Sequence, residues 1–248
     1  MRPEQLSKQK QKYVQSLHLK KNRTETGLFL VEGIKNIAEA LQENITFDHI
    51  YLTPKGKDAL EPLLTQQSWS LEKPESVQKV STLQVNEDGV AVAVQRKMKK
   101  KPLVGLNLVL DGIKDPGNLG TLLRLADWYA VQQVWCSLDC VELYNPKVIS
   151  ASMGSFARVD VHYEDLSDLL SQGKLPSFGA FLGGKSVYEI EFPEDGFLII
   201  GSESHGIRPH LEPLITSRLT IPRRGQAESL NASIATGILL DNWFRPLK

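Results

Sequence analysis

Apolar residues recur along this chain with two periods. Leu6, Tyr13, Val14 and Leu17 fall at i, i+7, i+8 and i+11, with Lys8 and Lys12 off the stripe, which predicts a helix. Leu28–Val31 reads as a short strand ended by Gly33, and Ile34, Ile37, Ala38 and Leu41 make the next helix face. His49–Leu52 predicts a second strand, closed by Thr53-Pro54. A helix over 56–67, a short strand near Trp69, a short helix near Val77 and a strand from Val90 to Val94 follow. This α/β alternation fills about 95 residues, enough for a core of its own.

The pattern then breaks. Residues 96–101, Arg-Lys-Met-Lys-Lys-Lys, and Pro102 carry charge and a turn residue instead of periodicity. Leu106–Leu110 starts a new strand, and Leu119, Leu122, Leu123, Ala126 and Ala130 share one face of a helix near 117–129. Strands are predicted at Val134–Cys136, Val159–His162, Phe178–Leu182, Phe197–Ile200 and Arg218–Ile221, with helices at 164–171 and 230–244. Such alternation argues for a mostly parallel sheet with helices on both faces. The expected division is a small N-terminal α/β domain over 1–97, a basic linker over 98–104, and a second domain over 105–248.

Composition narrows the class. At ~150 residues per domain, 248 residues make between one and two domains. With 41% hydrophobic and 23% charged residues, the chain is not disordered, collagenous or a coiled coil. No apolar run approaches the ~20 residues of a membrane helix. No apolar stretch follows Met1–Gln5, as a secretory signal would require. Two cysteines are too few for a disulfide framework or a four-ligand zinc site, so Cys136 and Cys140 read as small buried apolar residues. The expectation is a soluble cytoplasmic protein, without a membrane span or a metal.

Charge changes that picture. The total is zero, but residues 1–101 carry 17 basic and 12 acidic side chains, and residues 102–248 carry 12 and 17. The basic excess gathers at residues 1–23 and 96–101, which suits a polyanion partner or two solvated segments.

A literal Walker A string runs from Gly179 to Ser186. A phosphate loop needs a strand before it and a helix after it. Here the apolar strand occupies the loop itself, and Val187–Phe192 alternates like another strand. His205 and His210 lie five apart, which is not the spacing of a helical metal pair. Three strand ends are richer. The first is Asp111-Gly-Ile-Lys-Asp115-Pro116-Gly-Asn118-Leu-Gly120, leading to Arg124. The second is Gly201-Ser-Glu203-Ser-His-Gly206, and the third runs from Ile221-Pro222 to Ser229-Leu230-Asn231. Ligands of open parallel sheets bind beyond the carboxyl ends of strands, so three such turns suggest one crevice.

These turns resemble, in order and spacing, the three motifs of the SpoU (TrmH-like) RNA ribose 2′-O-methyltransferases of the SPOUT superfamily. Asp115-Pro116, Asn118, Gly120 and Arg124 match the first motif. Gly201, Glu203 and Gly206 match the second, and Ile221-Pro222 with Ser229-Leu230-Asn231 match the third. Gly27–Gly33 resembles the start of the family's N-terminal substrate-binding domain, itself similar to a ribosomal RNA-binding protein. Two departures bear on substrate choice. Arg223 and Arg224 stand where the family commonly has a Met and an apolar residue, and Tyr129-Ala130 stands where the first helix commonly ends in Gly.

The resemblance implies a trefoil knot formed by the last two motifs, with S-adenosylmethionine as methyl donor. Gly201, Ile221 and Leu230, with Gly206, would line its pocket. It implies RNA as substrate, ribosomal RNA before tRNA, and a homodimer with the active site near the interface. Arg124 is the matched catalytic residue. It lies about 140° from the middle of its helix's apolar stripe by the 3.6-residue period. Arginine stays protonated, so a clamp on the target phosphate is the first role and a general base the second. Asn118, Glu203, Ser229 and Asn231 would orient Arg124, the ribose and the loops; Glu203 could equally be a structural acceptor of loop N–H groups. Ile234, Ala235, Ile238, Leu239, Leu240, Trp243 and Phe244 make the last helix apolar nearly all round, as burial on two sides requires. The alternatives are a catalytically silent RNA-binding protein of the same fold and a P-loop phosphotransferase.

Overall fold

A computed structural model describes residues 6–131 and 133–245. The chain falls into two compact units, one of residues 1–97 with 142–157, the other of 98–141 with 158–248.

The first unit holds α1 (Lys8–Ser16), α2 (Lys20–Thr26), β1 (Leu28–Glu32), α3 (Ile34–Gln42), β2 (Phe47–Leu52), α4 (Pro54–Leu60), β3 (Trp69–Leu71), α5 (Pro74–Val80) and β4 (Gly89–Val94). Its sheet has the order β1-β4-β2-β3, with β4 antiparallel to both neighbours and β3 parallel to β2. Val14 and Leu17 pack with Val77 and Val80 onto Leu30, Tyr51, Val90 and Val92. Two expectations change here. Ser7 caps α1, so Leu6 lies before the helix, and Tyr13 is exposed. The helix expected over 56–67 is α4 followed by a 3-10 turn at Glu61–Leu63.

Helix α2, Lys-Lys-Asn-Arg-Thr-Glu-Thr, has no apolar residue for a periodicity to reveal. It is held by Arg23, which is buried, donates from Nη1 to Leu17 O at 2.6 Å, and pairs with Glu142. Glu142 belongs to the segment 142–157, which the sequence pattern assigned to the second domain. That segment contains α7 (Pro146–Ser152) and packs in the first unit. Phe29 explains this: its ring lies 4.5 Å from that of Tyr144 and 5.9 Å from that of Phe156.

The second unit holds β5 (Leu106–Asp111), α6 (Pro116–Trp128), β6 (Gln133–Ser137), β7 (Asp160–Glu164), α8 (Leu166–Gly173), β8 (Ser177–Ser186), β9 (Gly196–Gly201), β10 (Ser217–Thr220) and α9 (Ala232–Trp243). Its six strands run in the order β10-β8-β9-β5-β6-β7, all parallel. Every residue of β5 and β6 is buried, as expected of strands covered on both faces. One face packs Val109, Trp135, Phe197 and Ile199 against Leu166, Leu169 and Leu170 of α8. Neighbouring side chains in a strand alternate in direction. A Cβ on Gly196 would meet the Trp243 ring at 2.8 Å, so α9 lies on the opposite face. The Walker-like string is strand: all of Gly179–Ser186 belongs to β8, and a Cβ on Gly184 would stop 2.4 Å from Arg218 O of β10. The strand expected next is instead a 3-10 turn, Val187–Glu189, started by Ser186.

The basic segment 96–101 is partly spent within the units. Arg96 donates to Phe156 O and Ala157 O, Lys100 pairs with Glu164, and Lys101 pairs with Asp160 at 2.9 Å. Lys97 and Lys99 are exposed. In the N-terminal group Arg23 is structural, and Arg2 lies outside the described residues. Among the described residues, no helix is long and apolar enough to cross a membrane, and no three His, Cys, Asp or Glu side chains gather as metal ligands.

Candidate active site

The first two turns follow β5 and β9, which are neighbours in register from Leu106↔Gly196 to Asp111↔Gly201. The third follows β10 and ends in α9, which packs on α6. Local chemistry sets each one. Asp115 is the N-cap of α6, its Oδ1 accepting from Asn118 N at 2.8 Å, with Pro116 in the first turn. Asn231 is the N-cap of α9, its Oδ1 accepting from Ser233 N at 2.9 Å. Gly206 has φ +66°, and Ser202 and Gly206 exchange backbone bonds of 2.8 and 3.1 Å, closing the second turn into a tight loop.

Three candidate residues meet where these turns converge. Asn118 Nδ2 donates to Glu203 Oε1 at 3.0 Å. Asn231 Nδ2 donates to the same oxygen at 2.5 Å and to Asn118 Oδ1 at 2.9 Å. Ser233 Oγ adds a bond to Asn118 O at 3.2 Å. Each side chain of the trio comes from a different motif, and all three are exposed or partly so. The Glu203 carboxylate thus sits among donors from the first turns of two helices, where partial positive charge favours an anion.

Arg124 and Ser229 are not part of this cluster. Arg124 is exposed on α6, and among the described residues its guanidinium has no hydrogen-bond or ion-pair partner. It stands six residues beyond Asn118, about 9 Å further along the helix axis. Ser229 lies in the exposed turn 222–231. Gly201 has a reason the sequence does not reveal: a Cβ there would lie 2.0 Å from Gly206 C and 2.2 Å from Ile207 N. Close approach of the loop to itself requires this glycine. Ile221 is half-buried and Leu230 is 45% exposed beside the main chain of the third turn; Leu182, on β8, is 81% exposed.

Sequence reasoning missed a second set of residues at these strand ends. Asp111 is buried and bound by Arg208, whose backbone N donates at 2.8 Å and whose Nε donates at 2.6 Å. Asp139 accepts from Lys114 Nζ at 2.7 Å and from Ser137 Oγ at 2.7 Å. Lys114 first, then Ser137 and the charge of Arg208, hold the Asp139 carboxyl down at about 2. Cys136 and Cys140 are buried and free. Interaction with the Cys136 thiol lowers the Cys140 thiol to about 7, and the same interaction with burial raises that of Cys136. An aspartate ending the apolar run Leu106–Leu110 was the one available signal.

Comparison with known proteins gives the following. Residues 105–241 match the model of the SpoU rRNA methylase family, and residues 8–97 match the MRM3-like substrate binding domain. The chain is 33% identical to an uncharacterized tRNA/rRNA methyltransferase of Synechocystis, covering 92% of this chain and 88% of that one. It is 29% identical to the 23S rRNA (guanosine(2553)-2′-O)-methyltransferase RlmP of Bacillus subtilis, covering 96% of each. A solved structure from Porphyromonas gingivalis, assigned to the TrmH family of RNA methyltransferases, superposes with a TM-score of 0.86 at 37% identity, over 97% of this chain and 98% of that one.

Proposed function

This chain belongs to the SpoU rRNA methylase family, and from that premise we propose that it methylates a ribose 2′-hydroxyl of ribosomal RNA with S-adenosylmethionine as donor. The observation that carries the reading is the meeting of Asn118, Glu203 and Asn231, one side chain from each motif, in one hydrogen-bonded cluster.

The residues fit the cofactor. Leu230 and Ile221 offer apolar surface beside main-chain N–H and C=O groups, which suits a planar purine. Leu182 adds apolar surface from β8, two strands from β5. Gly201, Gly206, Ile221 and Leu230 are the residues proposed to hold it, in loops joined by the family's trefoil knot. Bound there, S-adenosylmethionine supplies a methyl group already activated by its sulfonium.

The chain must orient the ribose and lower the cost of removing its 2′-hydroxyl proton. Arg124 is proposed to clamp the phosphate beside the target, stabilising the developing alkoxide; a general-base role is the second choice because arginine rarely gives up its proton. Asn118, Glu203 and Asn231 hold the first turns of α6 and α9, and Ser229, in the exposed turn 222–231, is proposed to help orient the ribose. The N-terminal domain captures the RNA, with ribosomal RNA favoured over tRNA and a cytoplasmic setting. We propose a homodimer, because Trp128, Ile234 and Phe244 leave an exposed apolar strip along α6 and α9, with Tyr129 stacked on Phe244 at 5.6 Å.

The test is transfer of labelled methyl from S-adenosylmethionine to ribosomal RNA, with 2′-O-methyl sites mapped in RNA from cells with and without the gene. A site that vanishes with the gene and returns on incubation with the protein is the expected result. An unchanged map, with no cofactor binding by calorimetry, favours the silent RNA-binding protein.

A further inference from the structure

One feature near the cluster has no part in the chemistry above. The Asp111 side chain is closed to solvent at the end of β5. Both carboxylate oxygens are taken by Arg208: the backbone N bonds Oδ2, Nε bonds Oδ1, and Nη2 completes the ion pair. Arg208 Nη2 also lies 3.6 Å from Asp139 Oδ1. Asp139 in turn holds Ser137 Oγ, which accepts from Gly112 N at 2.9 Å.

Two loops are therefore pinned at both ends. One runs from Asp111 to Asn118 and the other from Glu203 to Arg208. The Asp111–Arg208 pair joins them at one end, and the amide cluster joins them at the other. Neither loop is slack. Asp115 caps α6 in the first, and the Ser202–Gly206 bonds close the second. A Cβ on Gly112 would come 3.7 Å from Ser202 Cβ, so the first loop runs close beside the residue that leads into the second.

We infer that the Asp111–Arg208 pair is a positioning device that sets the register of the Asn118–Glu203–Asn231 cluster. A guanidinium fork fixes direction as well as distance, which an apolar contact of the same volume does not. The effect on rate rests on the proposed methyl transfer; the effect on the cluster does not.

Two variants of the full chain test this. Asp111→Leu with Arg208→Met replaces the whole pair, so no buried carboxylate is left alone; such replacements are often neutral for folding. Arg208→Lys keeps the charge and loses the fork, and it decides the matter if the double variant does not fold. The first readout is the side-chain amide NMR signals of Asn118 and Asn231 without ligand. They shift or broaden in both variants, while backbone signals of the first unit stay in place. The second is kinetics: kcat falls on the order of ten- to a hundredfold, as a misplacement near 1 Å costs. KM for RNA and for cofactor stays within about threefold. Unchanged amide signals in a folded variant overturn the inference whatever the activity, and so does an unchanged kcat. Altered amide signals in a chain whose wild type transfers no methyl uphold the link and overturn the proposed function instead.

Discussion

The Asn118–Glu203–Asn231 cluster and the Asp111–Arg208 pair join the same two loops, yet the cluster's carboxylate faces solvent, whereas the pair's carboxylate is shut away from it and only Arg208 is partly exposed. The cluster is built from neutral amides around one carboxylate, and its geometry depends on two helix starts. The pair is built from full opposite charges at the floor of the loops. An exposed carboxylate is well hydrated and can trade partners when a substrate arrives. A buried one cannot, because losing its partner leaves an uncompensated charge. The contrast separates a part that meets the ligand from a part that holds it still.

The exposed side should carry the largest effect. Arg124→Ala is expected to lower methyl transfer by about 10²–10³-fold, the range for removing one preorganised donor that stabilises developing negative charge. Cofactor affinity, measured by calorimetry, should stay near the wild-type value, because Arg124 stands away from the loops proposed to hold it. Near-normal turnover would remove Arg124 from the mechanism.

Asn231 joins both roles, and two substitutions part them. Asn231→Ala loses the cap of α9, worth ~1 kcal/mol, and both cluster bonds. Asn231→Ser keeps a capping oxygen and loses the bonds. Bonds to a charged group are worth ~1.5–3 kcal/mol, so both variants should lose ten- to a hundredfold in kcat. The alanine variant should lose ~1 kcal/mol more thermal stability than the serine variant, which keeps the cap. Equal melting temperatures would mean that the cap contributes little, and a fully active serine variant would mean that the cluster is only structural.

Much of this was legible beforehand. The parallel alternation, the strand nature of the Walker-like string and the three turns follow from period, length and turn chemistry. Other parts had no local signal. Helix α2 is polar on every side and rests on Arg23, whose partner Glu142 is 119 residues away. The return of 142–157 to the first unit rests on rings around Phe29. Arg208 reads as an ordinary loop arginine until the fold brings it to Asp111. Pairings at such separation are decided by tertiary packing, which no window of sequence contains.

The same exposed-against-engaged contrast divides the basic segment. All four lysines are exposed, but Lys100 and Lys101 pair with Glu164 and Asp160. Replacing Lys97 and Lys99 together by Ala should reduce the salt slope of RNA binding by roughly 1.5, at ~0.7–0.9 per phosphate contact. The matching change at Lys100 and Lys101 should leave the slope nearly unaltered. Equal losses from both pairs would mean that the ion pairs open when RNA binds. Lys185→Ala should be quieter still, within about twofold of wild type in transfer, as exposed substitutions cost ~0.5 kcal/mol or less. Loss of a nucleotide-dependent activity in that variant would bring back the phosphate-loop reading.

Asp139 sits on the border between the two regions, and it should give the smallest effect. Its side chain is 45% exposed, yet it is tied to Lys114 and faces Arg208, the partly exposed partner of buried Asp111. Lys114 above all holds its carboxyl down at about 2, below the ordinary value of 3.8. A carboxyl depressed in the folded state contributes its stability above the unfolded value. That contribution is lost as pH falls through the window from 3.8 to about 2. Asp139→Asn should therefore be slightly less stable than wild type at neutral pH, by less than about 1 kcal/mol given solvent screening. The two unfolding curves should converge as pH falls through that window and coincide only below it. Chemical denaturation at a series of pH values measures the gap. A gap that persists or widens in acid would mean that the substitution disturbs the Asp111–Arg208 pair itself, and Asp139 would then belong to the buried floor of the loops rather than to their rim.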